Sequence, residues 1–348
     1  MTRSRGAPLP GTSVFLLNDT SVTGHFGCIQ VVETIRRNLA MRGIALSGRW
    51  PVAVDWRFAA AFHAGLRNAS AFIVNGEGTI HHTGERPKGR QLLQFARTVK
   101  QHSTRPVFLI NASIEALEPR DFDDLEYFDR IFARDRRSQA YLAENGIVSQ
   151  WVPDLCLAAE APVHFRLARN VCTDSAVKAL NPLLERYSAV LRADFAPMRP
   201  GRCMSYWRYA LSDRVGLVVS LQRYYRTIAS AQGVIAGRFH AMIFCLLAGT
   251  PFLAVSSTTS KVEAVLDDVF SSSERLLPVA RIASMSRSLI PAFTPGEEEL
   301  RLGYLSAARA GIGQMFDDIA ATIRASTAAT SASASTGTTP TVEFRSTT

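Results

Sequence analysis

The chain is poor in cysteine, in lysine and in long apolar runs, and each shortage excludes something. Cys28, Cys156, Cys172, Cys203 and Cys245 are scattered, odd in number and without a CxxC pair. That argues against a disulfide framework and against a cysteine zinc site, so no metal is expected. The longest apolar runs are broken by Gly or Pro and fall short of the roughly 20 residues that span a bilayer. The N-terminal MTRSRGAPLPGTS has no long apolar core of the secretory kind, and a cytoplasmic location is expected. There is no G-x-G-x-x-G fingerprint and no P-loop. Neither NAD nor ATP is therefore implied, and no cofactor is expected.

What is present describes a globular protein. A length of 348 residues leaves room for two domains of ordinary size. The net charge is +9, and only Lys88, Lys100, Lys178 and Lys261 interrupt an otherwise all-arginine basic set. Arginine grips carboxylate and phosphate in a bidentate fork. Its surplus fits anionic substrates, an anionic surface or nucleic acid, although a genome that writes Arg for Lys gives the same composition. The arginines form no stripe with interleaved aromatics, so no nucleic-acid partner is expected.

Strand and helix patterns alternate along the chain. Residues 1–12 read as a flexible lead-in. Val14–Leu17 reads as a strand whose loop feeds a helix from about Cys28 to Arg42, and Ala59–Arg67 as a second helix. Buried strands follow at Ala71–Val74, Pro106–Ile110, Ile131–Ala133 and Val148–Val152, with helices near Arg90–Gln101, Asp121–Phe128 and Arg136–Glu144. This is an α/β half, spanning 13–158, with a mostly parallel sheet. LCLAAEAPVHF, 155–165, reads as a linker. A second α/β half covers 159–295, with a strand at Asn170–Thr173, a helix near Ala176–Leu191 and another at Leu221–Ala231. Residues 192–216 show no clear period. A helical segment, 296–325, ends the ordered chain, and the Ser/Thr/Ala-rich 326–348 is expected to be disordered.

The richest stretch is GVIAGRFHAMIFCLLAGTPFLAVSSTTSK, Gly233–Lys261. Two short buried strands flank an apolar helix, the pattern of a parallel βαβ unit. Gly237-Arg238-Phe239-His240 lies at the first turn, and Ser256, Ser257 and Lys261 at the second. Ligands of such sheets sit beyond the carboxyl ends of the strands, where helix N-termini offer free N–H groups to anions. Arg238 opposes the macrodipole unless an anion lies between them; a solvent-facing arginine is the plain alternative. His240 reads equally as a core histidine or a catalytic imidazole. Asn75-Gly76-Glu77-Gly78 ends another strand, with glycines that permit close backbone approach. A plain turn explains it as well, and His81 and His82 just beyond read as polar loop residues. Arg134-Asp135 and Asp154 end two further strands, where Asp135 can serve as a helix cap and Asp154 as a turn residue.

Taken together, these residues resemble the polysaccharide pyruvyl transferase family. The matching segments are the first loop with its helix, FIVNGEGTIHH, FARDRRSQAYLAENGI, WVPDLCL and VIAGRFHAMIFCLLAGTPFLAVSSTTSK, in the family's order over residues 14–268. The first loop departs from the family's N-x-G-D pattern, reading Asn18-Asp19 and then His25-Phe26-Gly27. The resemblance implies two Rossmann-like domains arranged like the GT-B glycosyltransferases, with the active site in the interdomain cleft. It implies phosphoenolpyruvate as donor and a saccharide or lipid-linked saccharide of an exopolysaccharide precursor as acceptor, with a peripheral contact at the inner membrane face. On that basis His240, Asp135 and Asp154 are the expected catalytic residues. Arg238, Arg134, Asn75, Gly76, Gly78, Ser256, Ser257 and Lys261 are expected to bind substrate. Two other readings stand beside it: a nucleotide-sugar glycosyltransferase, in which Glu263 would grip a ribose, and a non-catalytic saccharide-binding protein.

Overall fold

A computed structural model describes residues 12–52, 54–57, 66–162, 165–199, 214–284 and 290–335. The helix expected at Ala59–Arg67 falls almost wholly outside these residues, as do 1–11, much of 192–216 and 336–348. Two compact units emerge. One comprises 1–19, 35–153 and 311–348, and the other 20–34 and 154–310. The chain is thus divided at Pro153–Asp154, and the segment 20–34 belongs with the later half.

The first unit holds a six-stranded, all-parallel sheet in the order β2-β1-β3-β4-β5-β6. Its strands are β1 (Ser13–Asp19), β2 (Ala45–Pro51), β3 (Ala71–Glu77), β4 (Val107–Ala112), β5 (Arg130–Ala133) and β6 (Gln150–Trp151). β3 and β4 are buried at every residue, as continuous apolar strands must be when both faces are covered. Strand β2 escapes a search for apolar runs because ALSGRWP is an edge strand broken by Gly48 and Pro51. Gly48 is needed there: a Cβ would meet the Phe15 ring at 2.6 Å.

The helices of this unit follow their signals. α1 (Phe26–Met41) runs from the second unit's segment into this one, and α2 is Pro87–His102. Proline at the first turn starts both α2 and α3 (Pro119–Leu125). α4 (Arg136–Glu144) is capped by Asp135, whose carboxylate accepts from the Ser138 amide at 2.8 Å. Past its end, Gly146 takes the left-handed conformation at φ +77°.

The second unit has a four-stranded parallel sheet, β10-β9-β7-β8, built from β7 (Val171–Cys172), β8 (Asp194–Phe195), β9 (Val234–Ala236) and β10 (Phe252–Ala254). Its helices are α5 (Asn181–Leu191), α6 (Arg214–Ser230), α7 (Phe239–Ala248), α8 (Lys261–Phe270) and α9 (Val279–Ser284). α7 buries every residue from Phe239 to Leu247, so it is an internal helix with no solvated stripe. The stretch expected to be a linker is partly core: Leu155, Cys156 and Leu157 are fully buried in a 3₁₀ turn that Asp154 caps. α10 (Pro295–Ser335) continues ten residues past the expected start of the disordered tail. Alanines throughout 325–334 favour helix where the serine and threonine content suggests a tail. No helix among the described residues is long and apolar enough to cross a membrane.

Candidate active site

Parallel sheets bind ligands where the strand order reverses direction. In the second unit that point lies between β7 and β9, and the residues just past both strands are tied together. The Gly237 amide donates to the Thr173 hydroxyl at 2.8 Å, and Nε of Arg238 donates to Asp174 at 2.9 Å, with Nη2 on the same carboxylate oxygen. The other oxygen of Asp174 accepts from the Met198 amide at 2.7 Å. Gly237 is required by this brace, since a Cβ would sit 2.6 Å from the Asp174 carbonyl. Arg238 is the N-cap residue of α7 but contributes no side-chain cap. It thus stands at the helix's positive end already holding one carboxylate, from a residue 64 positions earlier in the chain. Among the described residues its Nη1 makes no hydrogen bond.

His240 is the second residue of α7. It is buried, Nε2 makes no hydrogen bond, and the Asp154 carboxylate lies 3.6 Å from that nitrogen. His25 packs edge-on against it with ring centroids 5.3 Å apart, and its Nδ1 is likewise buried without a partner. Gly27 lets the imidazole in, because a Cβ there would fall 2.0 Å from Cγ of His240. The His25-Phe26-Gly27 departure in the first loop thus builds the pocket around His240. His25 is the functional candidate that sequence reasoning missed; its sole signal was that departure.

Cations act on His25. Burial first, and then the charges of His240, Arg238, Arg199 and Lys261, hold the His25 imidazole well below its ordinary range. Lys261 opens α8, and its Nζ lies 5.9 Å from the Phe239 ring centroid. The two polar clusters of the Gly233–Lys261 stretch therefore do meet at one edge. Nearby in sequence, Ser257 Oγ, Thr259 Oγ1 and Glu263 Oε2 are buried without hydrogen bonds. Ser256 is half-buried.

The first unit places its expected site residues differently. Arg134 is 1% exposed, and its Nε donates to Ser113, whose hydroxyl donates to Asp135 at 2.6 Å. Both Asp135 oxygens are engaged by Ser113 and the helix cap, which is the capping role. The Asn75 carbonyl accepts from the Asn18 amide at 2.6 Å across the β1–β3 switch point. Gly76 is fixed by packing, since a Cβ would meet that of Ala112 at 2.4 Å; Gly78 lies in the following turn. Asn18, Glu77 and Asn111, at the ends of three neighbouring strands, all have positive φ. Such strained conformations gather at functional edges.

Three groups of side chains come close enough to share an ion: His81 with His82 and Glu115, His25 with Cys28 and His240, and Asp154 with Cys156 and His240. His81 lies in the loop between β3 and α2, as expected, but is buried there. Arg86, which can only donate, reaches its Nε2 at 3.2 Å, so Nδ1 carries the hydrogen, directed at Nδ1 of His82 3.0 Å away. In the second group, His25 feels the positive charge of Arg238, Arg199 and Lys261.

The sequence profile of the polysaccharide pyruvyl transferase family matches residues 24–259. No curated protein matches the chain. Solved structures with a similar fold include an uncharacterized protein from Klebsiella pneumoniae, 12% identical, covering 76% of this chain and 92% of that one at a TM-score of 0.47. A putative UDP-N-acetylglucosamine 2-epimerase from Listeria monocytogenes is 8% identical and covers 87% and 94%, at 0.46. The UDP-GlcNAc 2-epimerase from Neisseria meningitidis is 9% identical and covers 85% and 99%, at 0.44.

Proposed function

From the premise that this chain belongs to the polysaccharide pyruvyl transferase family, we propose that it moves the enolpyruvyl-derived group of phosphoenolpyruvate onto a sugar of a cell-surface polysaccharide precursor as a ketal. The observation that carries this reading is the pairing of His25 and His240, each with a buried unpartnered nitrogen, at a helix N-terminus where Arg238, Arg199 and Lys261 act on His25. Buried imidazoles beside an arginine and a lysine suit a small donor that carries both a carboxylate and a phosphate.

The reaction adds one sugar hydroxyl to C2 of the donor while C3 gains a proton, and a second hydroxyl then displaces phosphate from C2. One hydroxyl proton is balanced by the new C–H bond and the other leaves with phosphate. Arg238 and Lys261 hold the anionic groups, with Ser256 and Ser257 as hydroxyl donors at the second turn. His240 passes the proton as acid or base, and Asp154 stabilises its imidazolium form from 3.6 Å. Asp174 holds the Arg238 fork in place. Asp135, with both oxygens engaged, has no step here.

Phosphate release from phosphoenolpyruvate in the presence of acceptor tests the reading. His240→Gln is expected to lower kcat by about a hundredfold, and an effect of less than a few-fold overturns its role. The buried, unpartnered carboxylate oxygen of Glu263 favours one rival, a nucleotide-sugar transferase. A melting-temperature rise with nucleotide sugars and none with phosphoenolpyruvate would decide for it.

A further inference from the structure

The amino edge of the second unit's sheet, opposite the strand ends that carry the candidate site, bears an arginine-lined hollow of about 350 Å³. Helix α6 forms one wall. It buries Leu221, Tyr224, Tyr225, Ile228 and Ala229. Its other face, Val219, Gln222, Arg223, Arg226, Thr227 and Ser230, lines the hollow, and that 3-and-4 spacing is a single helical stripe. The segment before β7 forms the other wall, held by Leu167 N donating to the Ser230 carbonyl at 2.7 Å and Gln232 N donating to that of Arg169 at 2.8 Å. Arg166 braces it from behind, donating to the carbonyls of Ala231 and Gly249.

Two chemistries coincide on this face. Arg169 pairs with Asp194 at 2.7 Å, whereas among the described residues neither Arg223 nor Arg226 has an acidic partner. Leu167 and Val219, which line the hollow with them, are each 50% exposed, and Phe165, two residues before Leu167 in the chain, is 85% exposed. A free phosphate or a nucleic-acid backbone would use the arginines and leave these apolar side chains in water. An anionic bilayer uses both, with guanidinium groups at the phosphates and aromatic and aliphatic side chains below them.

We infer that this face docks the protein on an anionic lipid bilayer, Arg223 and Arg226 meeting headgroup phosphates and Phe165, Leu167 and Val219 entering the headgroup–acyl boundary. The surface lies away from His25, His240 and Arg238 in the sheet, and the inference does not rest on the proposed reaction.

Co-sedimentation of the full chain, without substrate, tests it. Vesicles of phosphatidylcholine with about 30% phosphatidylglycerol are expected to bind the protein at low salt, and vesicles of phosphatidylcholine alone to leave it in solution. Arg223→Glu with Arg226→Glu should raise the lipid needed for half-binding by roughly thirtyfold, taking about fivefold for each arginine. Phe165→Ser, at a position too exposed to affect folding, should weaken binding several-fold at every salt concentration. Equal binding to both vesicle types overturns the inference, as does full binding by Phe165→Ser together with the double variant. Release by millimolar inorganic phosphate at constant ionic strength would reveal a free-anion site instead. Tighter binding to duplex DNA than to the anionic vesicles would reveal a nucleic-acid face.

Discussion

Gly27 and His240 occupy one space, and only the lack of a side chain at Gly27 permits it. Gly27→Ala must displace the imidazole, and misplacement by about 1 Å can cost on the order of a hundredfold in rate. The expected outcome is a loss of phosphate-release turnover of at least about tenfold, with the folded far-ultraviolet spectrum kept. His25 makes a prediction of opposite character. Its folded-state pKa lies below the unfolded value, so between the two the unfolded chain binds the extra proton. Stability therefore rises with pH in that window and falls as pH drops through the ordinary imidazole value of about 6.5. Urea midpoints from pH 5 to 8 should show this slope, and His25→Phe should flatten it. An unchanged slope in the variant would mean that another group carries it.

At the scale of elements, the site depends on two tied strand ends. Asp174 after β7 fixes the arginine after β9, so Asp174→Asn should free the fork. The expected result is a KM for phosphoenolpyruvate raised roughly tenfold with kcat changed less, since ground-state binding is what the brace supports. A second tie secures α10. Arg275, 4% exposed, lies 4.3 Å from the Phe293 ring centroid, donates to the Phe252 carbonyl, and forms paired bonds to Glu297 at 2.6 and 2.8 Å. Removing one partner of such a pair costs about 3–5 kcal/mol. Arg275→Ala is therefore expected to lower the melting temperature by several degrees, and Arg275→Lys should recover only part of the loss, because lysine lacks the fork. A variant that melts with the wild type would show that the pair contributes no net stability.

For the whole molecule, the chain order and the units do not coincide, since 20–34 belongs with 154–310 and 311–348 with the earlier half. A fragment of 154–310 alone should fold poorly by circular dichroism, lacking His25, Phe26 and Gly27 from its interior. Phe26 stacks on Tyr224 at 4.7 Å, and the Gly27 carbonyl accepts from the Cys156 thiol. Much was nevertheless readable without coordinates. Runs such as FIVNGEG and VIAGRFH announce buried strands ending in polar turns, because strand burial and turn chemistry are local properties of the chain. The family resemblance came from the same stretches. What sequence alone could not decide was pairing at a distance. Asp135 at a helix start is the same residue whether it caps or catalyses, and its bonds to Ser113 and Ser138 made it a cap. Asp174 and His25, some 64 and 215 positions from their partners, carry no local signal. The parallel crossovers of the sheet bring them to Arg238 and His240, and the tertiary structure alone supplied the charge and burial that give those side chains their chemistry.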